Sequence, residues 1–70
     1  MPKKIRELKK ALLKAGFKKI PGKGSHTNWI HPLYLGKVTI SGKDSSDARN
    51  YQEKEVKQAI QEVDRKGKNG

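Results

Sequence analysis

Apolar residues recur at helical spacing near the start of the chain. At about 100° per residue they gather on one side of a helix, and they are Ile5, Leu8, Ala11, Leu12 and Ala15. The opposite side carries a narrow arc of cations, the basic row, which consists of Lys3, Arg6, Lys10 and Lys14. Gly16 suits the left-handed position that often ends a helix. The pattern predicts a helix over residues 4–15 with one face for a core and a basic face outside it.

Three short segments with strand character follow, separated by turn residues. They cover residues 17–20, 27–31 and 37–41. Pro21 and Gly22 end the first, and Pro32, which has no amide hydrogen for a ladder, ends the second. Residues 33–36 are predicted to be a connection. The third segment alternates polar and apolar residues, so we expect it to pair with the second as an antiparallel hairpin.

A second helix is predicted over residues 51–65. Its buried face would consist of Val56, Ala59, Ile60 and Val63. Asn50 and Glu53 have the spacing of a capping box, and we interpret Asp44 and Asp47 as helix-capping residues of the preceding polar loop. From Lys66 onward the chain contains only Lys, Gly and Asn, which predicts a disordered tail.

The order of elements is helix, three strands, helix. Such an order predicts an α+β domain with both helices on one face of a three-stranded antiparallel sheet. The other sheet face would be open to solvent or ligand. This is the topology of a double-stranded-RNA-binding domain. The chain of 70 residues is short enough for one domain only, which we assign to residues 1–65, with residues 66–70 as a basic tail.

Positive charge is concentrated in the first third of the chain. The sequence has 17 Lys and Arg against 7 Asp and Glu, a net charge of +10. Nine of the basic residues lie within residues 1–23, where Glu7 is the one acid. A field this uneven favours a polyanion, nucleic acid before anionic lipid, over charge that serves solubility alone. The lack of cysteine and of an apolar stretch of about 20 residues favours a cytoplasmic protein that does not enter a membrane.

His26 is the residue best suited to chemistry. Side chains alternate along a strand, so burying Trp29 turns His26, Asn28 and Ile30 outward and His31 inward. The reverse assignment would bury His26 with Ile30, but Trp29 is costlier to expose. An exposed imidazole can remove the proton of an RNA 2′-hydroxyl, and Lys23 with the amides of its turn can stabilise charge on the phosphate. Alternatively, His26 merely begins a strand.

The remaining polar residues add RNA contacts but no second chemistry. We predict contacts to RNA from the basic row and from Lys23, Ser25 and Asn28. His31 is interpreted as structural, donating a hydrogen bond to a carbonyl. Two histidines without a third ligand make an incomplete zinc shell, so we expect neither a metal nor a cofactor.

Several short motifs occur in order along the chain. They are Gly16-Phe17, Lys23-Gly24-Ser25-His26, Trp29, His31-Pro32, Val38-Thr39-Ile40 and Gly42-Lys43-Asp44. Together they resemble the HicA family of toxins over nearly the whole chain, from Ile5 to Val63. The resemblance implies a double-stranded-RNA-binding-like fold, ribosome-independent cleavage of mRNA, and a HicB-type antitoxin that masks the active site. The family's catalytic histidine corresponds to His26, whereas Thr27 stands where many relatives have a second histidine or an arginine.

Two functions from different classes follow. The first is an mRNA endoribonuclease in which His26 acts as general base or acid. The alternative is a non-catalytic RNA-binding module that uses the same basic surface. Attachment to an anionic membrane is weaker, because the first helix has few large apolar residues to insert.

Overall fold

Two helices enclose three strands along the chain. The computed structural model describes residues 3–24 and 26–69, with side chains as far as Gly67. The elements are α1 (Ile5–Lys14), β1 (Lys18–Pro21), β2 (Thr27–His31), β3 (Tyr34–Ile40) and α2 (Asn50–Asn69). The strands form one antiparallel sheet in the order β1-β2-β3. The predicted α+β architecture is confirmed.

One apolar cluster joins both helices to the same face of the sheet. Its buried members are Ile5, Leu8, Leu12, Phe17, Trp29, Val38, Ile40, Ala48, Val56, Ala59 and Val63. Trp29 is the largest fully buried side chain. Its Nε1–H donates to Thr27 Oγ1 at 3.1 Å, and that hydroxyl donates to the carbonyl oxygen of Ile40 at 3.3 Å. The indole is therefore buried without leaving its polar atom unpaired, as a stable core requires.

The register of β2 decides which of its residues face the core. Trp29 pairs with Val38, and Thr27 pairs with Ile40. All four are buried. Side chains alternate along the strand, so the residues between them face the open side of the sheet, where Ile30 is 38% exposed. The orientation predicted from Trp29 is correct.

The third strand begins earlier than its sequence predicts. β3 starts at Tyr34 instead of residue 37, and the pairing with β2 shifts register between Trp29 and His31. Gly36 has a φ of 93°, a conformation that favours glycine, and Leu35 beside it is 91% exposed. This irregular stretch breaks the alternation that marks a strand in sequence. At the first strand the bounds differ by one residue at each end: β1 runs from Lys18 to Pro21, and Phe17, which is buried, precedes it.

The start of α2 is capped one residue earlier than predicted. The backbone N–H of Arg49 donates to Gln52 Oε1 at 3.0 Å, so the predicted box of Asn50 and Glu53 is wrong. Gln52 is buried, and its Nε2 donates to the carbonyl oxygen of Ser41 at 3.0 Å. This side chain thereby ties α2 to the end of β3.

At its C-terminal end, α2 is longer than predicted. The backbone is helical as far as Asn69, whereas the sequence predicts a tail after residue 65. The division into a domain and a tail stays a prediction. In the part of the chain that the structure describes, no helix combines the length and apolar character needed to span a membrane.

The segment after β3 closes onto the beginning of α1. The N–H of Ile5 donates to the carbonyl oxygen of Ser46 at 2.9 Å, and the N–H of Ala48 donates to the carbonyl oxygen of Lys3 at 2.7 Å. The first of these bonds satisfies an N–H group that a helix leaves unpaired at its start, and the second pairs the two segments just outside α1. They hold the first turn of α1 at the end of the sheet where β3 finishes.

Candidate functional site

His26 lies in a tight turn that joins β1 to β2. Its backbone N–H donates to the carbonyl oxygen of Lys23 at 3.1 Å, and its carbonyl oxygen accepts from the N–H of Gly22, also at 3.1 Å. Two backbone bonds thus fix the residue, while its side chain is exposed. Among the described residues the imidazole has no hydrogen-bond partner, so both ring nitrogens can meet a ligand.

Gly22 has no space for a side chain beside His26. A Cβ at Gly22 would lie 2.9 Å from the carbonyl oxygen of His26, whereas a Cβ at Gly24 would meet nothing within 4 Å. Gly24 has instead a φ of 60°, which strains any other residue. Gly22 is therefore required because a side chain has no space there, and Gly24 because of its backbone conformation.

Replacing Gly22 by alanine is expected to displace the backbone of His26. The amide NMR signals of His26 and Thr27 should shift in Gly22→Ala, because the new methyl group overlaps a backbone oxygen that has to move. Gly24→Ala is the matched control. It should lower the free energy of unfolding by about 1–2 kcal/mol through backbone strain and leave those two signals nearly in place. Unchanged signals in Gly22→Ala would contradict the steric argument.

The other residues near His26 that were predicted to contact RNA differ in exposure and in whether their side chains already have a hydrogen-bond partner. Lys23 is exposed within the turn itself. Asn28 lies on the open sheet face, half-buried, where its Oδ1 accepts a hydrogen bond from Thr39 Oγ1 at 2.8 Å. That bond fixes the orientation of the amide and leaves its NH₂ group without a partner among the described side chains. Ser25 lies outside the described residues, so its predicted contact stays a prediction.

The cations of α1 fall into two groups. Lys4 Nζ and Lys9 Nζ each lie 2.6 Å from a carboxylate, that of Asp47 and Asp44 respectively. Asp44 and Asp47 are therefore partners of lysines, and the helix-capping role predicted for their side chains is wrong. All members of the basic row are exposed, and none forms an ion pair with a described carboxylate. The basic row is thus the part of α1 whose charge is available to a polyanion.

The basic row does not converge on His26. Ile5 lies beside Gly42 just after β3, where an added Cβ would be 3.5 Å from Ile5 Cγ1, and Ile40 at the end of β3 pairs with Thr27, next to His26. The first turn of α1 therefore lies at the His26 end of the molecule. Lys14 lies about 12 Å further along the helix than Arg6, at about 1.5 Å per residue.

A groove of about 690 Å³ marks the opposite end of the molecule. Lys14 and His31 both line it, together with Leu33 and Ile60. The cations of the basic row therefore extend from the end that carries His26 to the end that carries His31. A ligand that contacts both His26 and Lys14 must be long, as a nucleic-acid strand is.

His31 has a structural role, though not the predicted one. Its Nδ1 accepts a hydrogen bond from the N–H of Leu33 at 3.0 Å, so at this atom it is an acceptor and not a donor to a carbonyl. The ring packs on Phe17 with centroids 5.1 Å apart and is half-buried. It supports the turn between β2 and β3.

Two lysines that act on Asp44 were not among the predicted contacts. Lys9 hydrogen-bonds to Asp44, and Lys19 lies close enough to act on the same carboxylate. The hydrogen bond from Lys9, its charge, and the charges of Lys19 and Arg6 hold the pKa of Asp44 below its usual value. The high charge of residues 1–23 was the signal in the sequence, but it did not distinguish these lysines from their neighbours.

No grouping of three or more His, Asp or Glu side chains that could hold a metal ion occurs among residues 3–24 and 26–67. The site has an exposed imidazole, without a hydrogen-bond partner among the described residues, in a turn held by backbone bonds, and the first turn of α1 lies at the same end of the molecule. Those features define a small basic α+β domain with an exposed histidine in a turn between two strands.

Comparison with known families identifies the class further. The family model described as the HicA toxin of bacterial toxin–antitoxin systems matches residues 5–61, most of the chain. The chain belongs to the HicA toxin family. No curated protein and no solved structure gives a significant match. Membership in a toxin–antitoxin family implies an antitoxin partner in general, and the resemblance found in the motifs is confirmed.

Proposed function

We propose that this protein is an endoribonuclease that cleaves mRNA and uses His26 as its general base or acid. The observation that carries the proposal is the exposed imidazole, which the turn holds through its backbone and which has no partner among the described residues. Lys23 in the same turn and the unpaired basic row supply positive charge to the phosphates of a strand. A HicB-type antitoxin that covers this end of the molecule would keep it inactive.

The geometry supports a cleavage in which the RNA supplies the nucleophile. His26 removes the proton of a 2′-hydroxyl, the 2′-oxygen attacks the adjacent phosphorus, and the bond from phosphorus to the 5′-oxygen breaks. The leaving 5′-oxygen takes up a proton from the imidazolium or from water. The products are a 2′,3′-cyclic phosphate and a 5′-hydroxyl, and no step needs a metal ion.

This mechanism predicts that cleavage depends on the 2′-hydroxyl. In the presence of a chelator, the protein should cut a single-stranded RNA and leave 2′,3′-cyclic phosphate ends. The same sequence with deoxyribose throughout should bind with similar salt dependence and stay intact, because the nucleophile is missing. Gel analysis of end-labelled strands and mass spectrometry of the products measure both effects.

The alternative function, a non-catalytic RNA-binding module, predicts a different result from the same experiment. Both strands would bind, with affinity falling as salt rises, and neither would be cut. Cleavage that requires a divalent metal, or cleavage of the deoxy strand, would contradict the mechanism with His26 as base.

A further inference from the structure

The Asp44 carboxylate pairs with Lys9, and the charges of Arg6 and Lys19 act on it as well. Arg6 and Lys9 lie three residues apart and therefore on the same flank of the helix. Lys19 comes from β1, where it pairs with Trp29 and so belongs to the face of the sheet that carries the helices. Asp44 contacts two of these residues: its Oδ1 is 2.6 Å from Lys9 Nζ, and its carbonyl oxygen accepts a hydrogen bond from the backbone N–H of Arg6 at 3.2 Å.

The two partners of the ion pair differ in how firmly they are held. The Lys9 side chain is 18% exposed, so its stem is packed against the protein, whereas the Asp44 carboxylate is 64% exposed. An exposed loop carboxylate can rotate away at little cost, while the lysine stays. Because one negative charge faces three positive charges, the cluster keeps an excess of positive charge even when the ion pair is formed.

A carboxylate and a phosphodiester make similar demands on their surroundings. Each carries one negative charge and presents two oxygens to charged N–H donors. We propose that Arg6, Lys9 and Lys19 form a binding site for one phosphodiester of an RNA backbone, and that Asp44 occupies this site in the free protein in place of the phosphate. The proposal rests on the proposed RNA binding, not on cleavage, and it adds Lys9 and Lys19 to the RNA-contacting surface.

If Asp44 competes with RNA, removing its charge strengthens RNA binding at this site. In the uncleaving background of His26→Ala, Asp44→Asn should raise the affinity for single-stranded RNA about two- to fivefold at low salt, the range of an exposed ion pair. The slope of log affinity against log salt concentration should steepen by about 0.7, the value for one more phosphate contact on a single strand. Fluorescence anisotropy over a series of salt concentrations measures both quantities.

Asp47→Asn is the matched control. Asp47 lies in the same loop and pairs with Lys4 at the same 2.6 Å, and its removal changes the net charge by the same amount. We expect a smaller gain in affinity and an unchanged slope. Equal gains in the two variants would show a general charge effect and overturn the proposal. Thermal unfolding of each variant checks that both remain folded.

Lys19→Gln tests the site from the side of the cations. In the double variant with Asp44→Asn, the salt dependence should return to that of the parent without Asp44→Asn, because the phosphate site has lost one of its cations. A slope as steep as that of Asp44→Asn alone would exclude Lys19 from the site. Inorganic phosphate is a second probe: it should displace RNA from Asp44→Asn more than chloride of equal ionic strength does, because it competes for the same cations, and equal displacement by the two salts would overturn the assignment.

The outcomes separate this site from the proposed catalysis. If the wild type cleaves RNA but Asp44→Asn and Asp47→Asn gain equal affinity for RNA, the nuclease proposal stands and the phosphate site is rejected. The expected difference between the two variants, without cleavage by the wild type, keeps the site and rejects the nuclease. A protein that binds no RNA rejects both.

Discussion

Replacing His26 by alanine is expected to lower the rate of RNA cleavage by about 10²- to 10⁴-fold, the usual contribution of a general base or acid. The affinity for RNA should change little, because the phosphate contacts proposed for the basic row and Lys23 remain. The backbone bonds that hold the turn do not involve the imidazole, so the variant should fold like the wild type. Single-turnover cleavage of a labelled RNA measures the rate, and anisotropy measures the binding.

The second histidine provides the control for this experiment. His31→Asn keeps an acceptor near the position of Nδ1 for the N–H of Leu33 and removes the ring from Phe17. It should lower stability and leave the cleavage rate of the folded protein close to that of the wild type. If wild type and His26→Ala cleave equally, His26 has no part in the mechanism. Growth arrest on induced expression of the wild type alone would extend the result to cells.

Replacing Trp29 by alanine is expected to unfold a large part of the protein. A large buried aromatic truncated to alanine costs about 3–5 kcal/mol, and a whole domain is held by only about 5–15 kcal/mol. The same change removes the indole partner of Thr27 in the core. Urea denaturation followed by circular dichroism should show a much lower midpoint, with part of the population unfolded in buffer.

A substitution of Ile30, the next residue on the opposite face of β2, distinguishes the effect of burial from that of strand propensity. Ile30→Ala removes an apolar side chain from the same strand at a position that is 38% exposed. Its cost should lie within about 1 kcal/mol, as for most surface substitutions. Similar losses for Trp29→Ala and Ile30→Ala would mean that the face assignment of β2, on which the exposure of His26 depends, is wrong.

Elements with strong local periodicity could be predicted from the sequence. The apolar residues of α1 recur at helical spacing, and β2 is bounded by a turn and by Pro32. The bounds of both elements were therefore predicted within a residue or two. The exposure of His26 followed from one further step, the high cost of leaving Trp29 in water. That cost depends on the residue type and strand alternation, and it requires no knowledge of the partners.

Features that depend on tertiary contacts could not be predicted in this way. The start of β3 was missed because Leu35 and Gly36 interrupt the alternation. The cap of α2 was misplaced because Gln52 bonds to Ser41 as well as to Arg49, and a tertiary partner outweighed the better local motif at Asn50.

The pairing of the lysines of α1 depends on still longer separations. Lys9 and Asp44 are 35 residues apart, and Lys4 and Asp47 are 43 residues apart. No periodicity joins such positions. The sequence therefore indicated a basic helix, but it could not tell which of its cations are neutralised within the protein and which face outward.

The closure of the segment after β3 onto the start of α1 has a consequence for biosynthesis. Contacts between distant positions are expensive in chain entropy and tend to form late in folding. The bonds from Ser46 and Ala48 back to Ile5 and Lys3 cannot form until more than half of the polypeptide has left the ribosome. The first turn of α1, which lies at the His26 end of the molecule, is therefore secured only after the segment that follows β3 has been synthesised.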